Sequence, residues 1–202
     1  MIRRPPRSTL SSSSAASDVY KRQIIKTEHP EVLQIQPEIH KDQRGFFLET
    51  FQKDKFLQVG ITGDFVQDNY SSSIKSTLRG LHYQVTHIQG KLVLAVRGEI
   101  FDVAVDLRRN SPYFGKWTGV ILSEVNKNLL WVPPGFAHGF YNLSERADVF
   151  YKTTNYYDPT GERCLKWDDP DLGINWPVPP GEEPILSKKD AEGTLFHDAE
   201  VF

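Results

Sequence analysis

The chain of 202 residues holds one cysteine, Cys164. A single thiol excludes an internal disulfide framework and fits a reducing, cytoplasmic compartment. No apolar run approaches the roughly 20 residues that cross a bilayer, so the expectation is a soluble protein with no membrane partner. The 24 basic and 26 acidic residues leave a formal net charge of -2, without blocks of like sign. That distribution lacks the basic stripe of a nucleic-acid binder. Large apolar residues are nearly missing from residues 1–23, which are rich in Arg and Ser and poor in acids. Such a stretch cannot build a core. It reads as a non-native extension, a translated sequencing-adapter artefact, the alternative being an Arg/Ser-rich transit peptide; it has no apolar centre of the kind a secretory signal needs. Residues 24–202 are enough for one domain and too few for two.

What is present is mostly strand and turn. Val32 to Ile39 alternates and enters a polar turn at Lys41-Asp42-Gln43-Arg44-Gly45, after which Phe46 to Phe51 returns as strand. Lys53 to Val59, closed by Gly60, predicts a short helix. Phe65 to Asn69 leads into a serine-rich segment, Ser71 to Ser76, read as a loop. Arg97-Gly98 reads as a tight hairpin between Lys91–Val96 and Glu99–Leu107. In the latter, Phe101, Val103, Val105 and Leu107 share one face and Asp102, Ala104 and Asp106 the other. A second hairpin is expected between Trp117–Leu122 and Leu129–Val132. Ala137–Leu143 and Val149–Thr154 follow, then a Pro-rich, Trp-containing tail. About ten short strands with little helix and no long repeat predict an all-β sandwich or barrel.

The stretch Leu78 to Val93, LRGLHYQVTHIQGKLV, concentrates chemistry in apolar surroundings. Alternation puts Leu81, Tyr83 and Val85 on one face and His82 and Gln84 on the other. Arg79, His82 and Lys91 converging on one concave face suit an anion or a developing oxyanion. Elsewhere, His40, His87 and His197 read as surface residues, and His29 has no chemical company. Trp131, Trp167 and Trp176 read as core or interface, and Cys164 as a small buried hydrophobe.

Pro133, Gly135, His138 and Asn142, in VPPGFAHGFYN, match the second motif of the cupin jelly rolls, which narrows the fold to a cupin-like jelly roll with a few short helices. Metal cupins present two histidines and a glutamate in the first motif. Here that slot reads His82-Tyr83-Gln84, and two imidazoles are too few for a tight transition-metal site, so no metal is expected.

DQRGFFLE, FVQDNYS, RGLHYQ, QGKLV, GEIFDVAVDLR, PPGFAHGF, DVFYKTTNYY, WDDPDLGINWP and ILSKKD, in that order over residues 24–192, resemble the dTDP-4-dehydrorhamnose 3,5-epimerase family. The resemblance implies a cofactor-free isomerase acting on dTDP-4-dehydro-6-deoxy-D-glucose in dTDP-L-rhamnose biosynthesis. By resemblance His82 is the base, paired with Asp190; Lys91 faces the enolate oxygen and Tyr151 is the acid. Arg79 and His138 would hold the diphosphate and sugar, and Arg44, Glu49, Gln67, Asn69, Glu162 and Lys189 the nucleotide, with Phe46 and Tyr157 as stacking aromatics. The family also implies a homodimer with a crossing N-terminal strand, in which Arg44 and Glu49 serve the neighbour's site. The alternatives are a mono-epimerase of a related ketodeoxysugar, a non-catalytic sugar-nucleotide-binding cupin, and a metal-dependent cupin isomerase or oxygenase.

Overall fold

The computed structural model describes residues 23–202. Of the expected leader, only Gln23 is described, and it opens the first strand. Among the described residues thirteen strands run β1 Gln23–Lys26, β2 Leu33–Gln36, β3 Ile39–Asp42, β4 Gly45–Leu48, β5 Gln67–Ile74, β6 Leu78–Gln84, β7 Lys91–Arg97, β8 Glu99–Asp106, β9 Trp117–Ser123, β10 Leu129–Val132, β11 Phe136–Asn142, β12 Arg146–Thr153 and β13 Glu162–Cys164; two α-helices are α1 Lys53–Leu57 and α2 Lys188–Ala191, and Phe196–Asp198 form a 3-10 turn. They form a six-stranded sheet, β1-β2-β10-β7-β12-β5, facing a five-stranded sheet, β13-β6-β11-β8-β9, with β3-β4 as a separate hairpin. This is the expected jelly roll. Among the described residues no helix is long and apolar enough to cross a membrane.

Apolar residues fill three spaces. Between the sheets lie Val93, Ala95, Ile100, Ala104, Leu122, Phe140 and Val149. On the outer face of the five-stranded sheet, Leu81, Tyr83, Val103, Val105 and Leu107 pack under Leu172, Trp176, Phe196 and Phe202 of the C-terminal tail. The alternation read in β6 and β8 is therefore real, but both faces are buried. On the outside of the six-stranded sheet, Phe56 of α1 packs with Ile35, Leu92, Leu129 and Trp131. A helix this short cannot hold itself together, and burial of Phe56, on the order of 2 kcal/mol, anchors it. It ends as expected at Gly60: the Ile61 N–H donates to Phe56 O (3.0 Å) and the Gly60 N–H to Leu57 O (3.1 Å), a Schellman closure with Gly60 at φ +85°.

Four local readings are corrected. β7 and β8 are no hairpin: β7 pairs with β10 and β12, and β8 with β11 and β9. The link at Gly98 carries the chain from one sheet to the other, at φ +71°, where a Cβ would meet Arg146 O at 2.2 Å. Likewise β9 pairs with β8, while β10 pairs with β2 and β7 across the sandwich. Consecutive strands in such a fold often belong to opposite layers, and each must be apolar enough to bury. The run from Val32 to Ile39 is split at Pro37, which has no N–H to give a ladder, so β2 joins the large sheet and β3 pairs with β4. Finally, Ser71 to Ser73 are strand, not loop, paired with Val149, Asp148 and Ala147 of β12. Ser73 Oγ accepts from Arg79 Nε at 3.0 Å and Ser72 Oγ donates to Asp148 at 2.5 Å, while Ser71 Oγ is buried without a partner.

Candidate active site

One end of the sandwich is left open, forming a concavity of about 180 Å³ lined by Gln67, Asn69, His82, Tyr83, Gln84, Gln89, Lys91, Tyr151, Tyr157 and Glu162. The two sheets contribute opposite walls. His82 comes from β6, with Glu162 of β13 beside it, whereas Lys91 and Tyr151 come from β7 and β12. Lys91 pairs with Thr153 and Tyr151 with Val93, so both side chains emerge on the inner face, two residues apart along the ladder. Lys91 Nζ spans the gap, donating to the His82 carbonyl at 3.2 Å. Tyr83 also borders the space, but its hydroxyl is engaged elsewhere, donating to Glu200 O at 2.8 Å.

His82 and Asp190 meet at 2.5 Å, Nε2 to Oδ1. Asp190 is buried on α2, where Ser187 caps the helix, and its carboxylate also accepts from Ser187 Oγ (2.6 Å) and the Gly80 N–H (3.3 Å). Burial alone would raise this carboxyl; the hydrogen bonds from His82, Ser187 and Gly80 outweigh it and hold it at about 2. Burial lowers the His82 imidazole, aided by Lys189 and Lys91 and opposed by Asp190, so it is neutral at neutral pH. β6 passes β11 closely here: a Cβ on Gly80 would meet Gly139 Cα at 2.5 Å, and the register shifts between His138 and Phe140. Bulges of this kind re-aim side chains. Burial pulls the Lys91 ammonium down to about 8 against the attraction of Asp102 and Glu162. Burial pushes the Tyr151 phenol up, partly offset by Arg79, which keeps it protonated.

At the rim a polar chain is continuous. Gln67 Nε2 donates to Asn69 Oδ1 (2.9 Å), the Tyr157 N–H to Gln67 Oε1 (2.9 Å), the Tyr157 hydroxyl to Glu162 Oε2 (2.9 Å) and Lys189 Nζ to Glu162 Oε1 (2.8 Å). The structure thus brings together His82, Asp190, Lys91, Tyr151, Gln67, Asn69, Tyr157, Glu162 and Lys189. Five other residues stand apart from the lining. Arg79 is tied to β5 through Ser73 and Ser72 O. His138, opposite His82 across the ladder, is buried and holds Asp102 at 2.8 Å. Arg44 and Phe46 lie on the β3–β4 hairpin, Arg44 paired with Asp42 and Phe46 exposed under Lys127, and Glu49 pairs with Lys55 just beyond. Sequence reasoning missed Gln89 in the wall, Ser187 behind Asp190, and Asp102, whose Oδ2 is buried without a hydrogen-bond partner. A Ser three residues before an Asp is a capping signal that could have drawn Ser187.

His29 is also corrected. It is buried, its Nε2 lies 3.2 Å from Asp106 Oδ2, and Tyr113 and Phe136 pack on its ring. Cys164 is only half-buried and sits 3.9 Å from Asp190 Oδ1. The residues do not fit a cupin metal centre: Gln84 stands where that motif has its second imidazole, which leaves His82 and His138 as the only two of its ligands.

Known proteins similar to this chain in sequence and fold share one family. A sequence profile of the dTDP-4-dehydrorhamnose 3,5-epimerase family matches residues 26–198. The enzyme of that name from Shigella flexneri is 52% identical over 181 residues, spanning 89% of this chain and 98% of the relative. The crystal structure of a dTDP-6-deoxy-D-glucose-3,5-epimerase from Legionella pneumophila, in complex with dTDP-4-keto-L-rhamnose, superposes with a TM-score of 0.86 at 51% identity, covering 89% of this chain and 95% of that one. A 3'-monoepimerase from Streptomyces bikiniensis, in complex with dTDP-quinovose, gives 0.76 at 33% identity, covering 82% and 84%. Through the profile and these relatives, the chain belongs to the dTDP-4-dehydrorhamnose 3,5-epimerase family.

Proposed function

We propose that this chain inverts carbons 3 and 5 of dTDP-4-dehydro-6-deoxy-D-glucose, giving dTDP-4-dehydro-L-rhamnose, with His82 as base and Tyr151 as acid. The observation that carries the assignment is their placement on opposite sheets of one open sandwich, with Lys91 between. A sugar ring seated there presents one face to each. The 4-keto group acidifies the C–H bonds at carbons 3 and 5. His82 takes the proton, Asp190 stabilises the resulting imidazolium, and the electrons move onto the keto oxygen. Lys91 meets that developing charge, which exists only in the transition state and intermediate. Tyr151 then delivers a proton to the other face. No electron leaves the substrate, so side-chain proton transfer balances the reaction.

The rim chain of Gln67, Asn69, Tyr157, Glu162 and Lys189 suits the nucleotide, and Arg79 and His138 the diphosphate and sugar. Arg44 and Phe46, on a hairpin with Phe46 and Phe47 exposed, and Glu49 just beyond it stand away from their own pocket, which supports a homodimer in which they serve the neighbour. We place the activity in residues 24–202 as one domain without contribution from 1–23, and the enzyme in the cytoplasm.

Proton NMR of the substrate with the full chain in deuterated water and excess chelator tests this. Deuterium entering both carbons 3 and 5 is expected. Exchange at one carbon would mean a mono-epimerase, and tight dTDP binding without exchange a binding module.

A further inference from the structure

We propose that His82, Cys164 and Asp190 form a site for a thiophilic divalent cation of the zinc type, and that filling it switches the epimerase off. Three elements build it. Cys164 of β13 lies directly across the ladder from His82 of β6, so the two side chains share a face. Asp190 arrives from α2. One ligand atom from each residue lies within 4.8 Å of the other two, with Cys164 Sγ 3.9 Å from Asp190 Oδ1. Sulfur, imidazole nitrogen and carboxylate oxygen are the donors that zinc takes, at about 2.0 to 2.3 Å from the metal. Atoms so bound stand roughly 3 to 4 Å apart, so the thiol needs a small approach and the 2.5 Å His82–Asp190 contact a small opening. A fourth position faces the pocket that His82 lines.

Asp190 is already ionised and His82 neutral, so the thiol alone must lose a proton. Burial and the Asp190 carboxylate push that thiol up to about 12; a cation set between thiolate and carboxylate turns the second influence from repulsion to attraction. In the step, a metal–sulfur bond forms, the S–H proton leaves to solvent, and the imidazole proton moves from Nε2 to Nδ1. Nothing is oxidised or reduced. His82 then has no lone pair for a carbon acid, and Asp190 no longer orients it.

Binding is independent of the epimerase reading; inhibition rests on it. Cys164 is the sole cysteine of the chain, so a thiolate-to-cobalt charge-transfer band on titration of the full-length protein with Co2+ reports this site. The band should saturate at about one cobalt per chain, disappear in Cys164→Ser and be displaced by Zn2+. Zn2+ should inhibit deuterium exchange at carbons 3 and 5, with about tenfold or more Zn2+ needed for the same inhibition of Cys164→Ser. No band in the wild type, or equal Zn2+ sensitivity in the two proteins, would overturn the proposal. A band in protein that shows no exchange without metal would instead overturn the epimerase reading and leave the site standing.

Discussion

The His82–Asp190 and His29–Asp106 pairs make similar contacts, yet their chemistry diverges. His82 meets Asp190 at 2.5 Å and His29 meets Asp106 at 3.2 Å, and both carboxyls are held at about 2, where hydrogen bonds overcome burial. At Asp106 those bonds come from Arg108 and Ser111. The difference lies in the second nitrogen. His29 Nδ1 accepts the Glu31 N–H at 3.2 Å, and its side chain is only 3% exposed. His82 keeps 26% of its side chain open and lines the pocket. One ring is a fastener between the chain before β2 and the end of β8. The other, the proposed base, keeps a face open to the pocket. A His–Asp contact is thus no catalytic sign until the other side of the ring is accounted for.

Removing each ring gives the largest separation. His82→Ala should lower turnover by about two to four orders of magnitude while dTDP-sugar affinity stays near wild type. His29→Ala should leave turnover intact and lower stability by about 1–3 kcal/mol, because Asp106 loses a buried partner. Steady-state kinetics beside urea unfolding decide it, and equal effects on turnover would erase the comparison.

A similar but smaller contrast is expected of the carboxylates. Asp190→Asn and Asp106→Asn each remove charge from a buried network and should both destabilise, yet only the first should impair proton abstraction, since it removes the charge that stabilises imidazolium. The pH dependence of stability gives the sign: each acid has its folded value depressed from 3.8 to about 2, so its contribution is full above about 4 and is lost as pH falls towards 2. Acid unfolding of the two amides should therefore shift alike while their rates do not.

Lys91 sharpens the contrast between function and stability within the pocket. Its value falls from 10.5 to about 8, so the folded state holds fewer protons than the unfolded one between those pH values. The destabilisation, on the order of 3 kcal/mol, is complete below about 8 and relieved as pH rises towards 10.5. Lys91→Met should raise the melting temperature and lower turnover about 10²–10³-fold. In the wild type, turnover should fall on the alkaline side of about 8 as the ammonium is lost, and on the acid side as His82 gains a proton; Lys91→Arg should push only the alkaline limb upward.

The smallest effect is expected at the rim. Tyr157→Phe loses one hydrogen bond to Glu162, worth about 1 kcal/mol, and should raise KM several-fold with kcat unchanged.

Periodicity in Leu81-His82-Tyr83-Gln84-Val85 and in Phe101 to Leu107 was readable because alternation along a strand is local, and Gly60 marked its helix end for the same reason. Strand partners were not readable. The links at Gly98 and between β9 and β10 look like hairpins in sequence, but each joins strands that lie in opposite sheets, and that choice depends on how both faces are covered. Nor does the serine run show that it will pair with β12, because the partner that satisfies its backbone is more than 70 residues away in sequence. His29 failed as a reading for that same reason: Asp106 is 77 positions distant.

By itself, then, the sequence determined the all-β class, the inward alternation that exposes His82 to a concave face, and, through its blocks of resemblance, the family and its reaction. Tertiary structure alone decided which groups share one pocket. It set His82 and Tyr151 on facing walls, brought Asp190 and Ser187 behind the His82 ring from over 100 residues away, and turned His138 towards Asp102. The physical reason is that ionisation and aim depend on burial and on neighbours, and in a two-sheet fold most neighbours are remote in sequence.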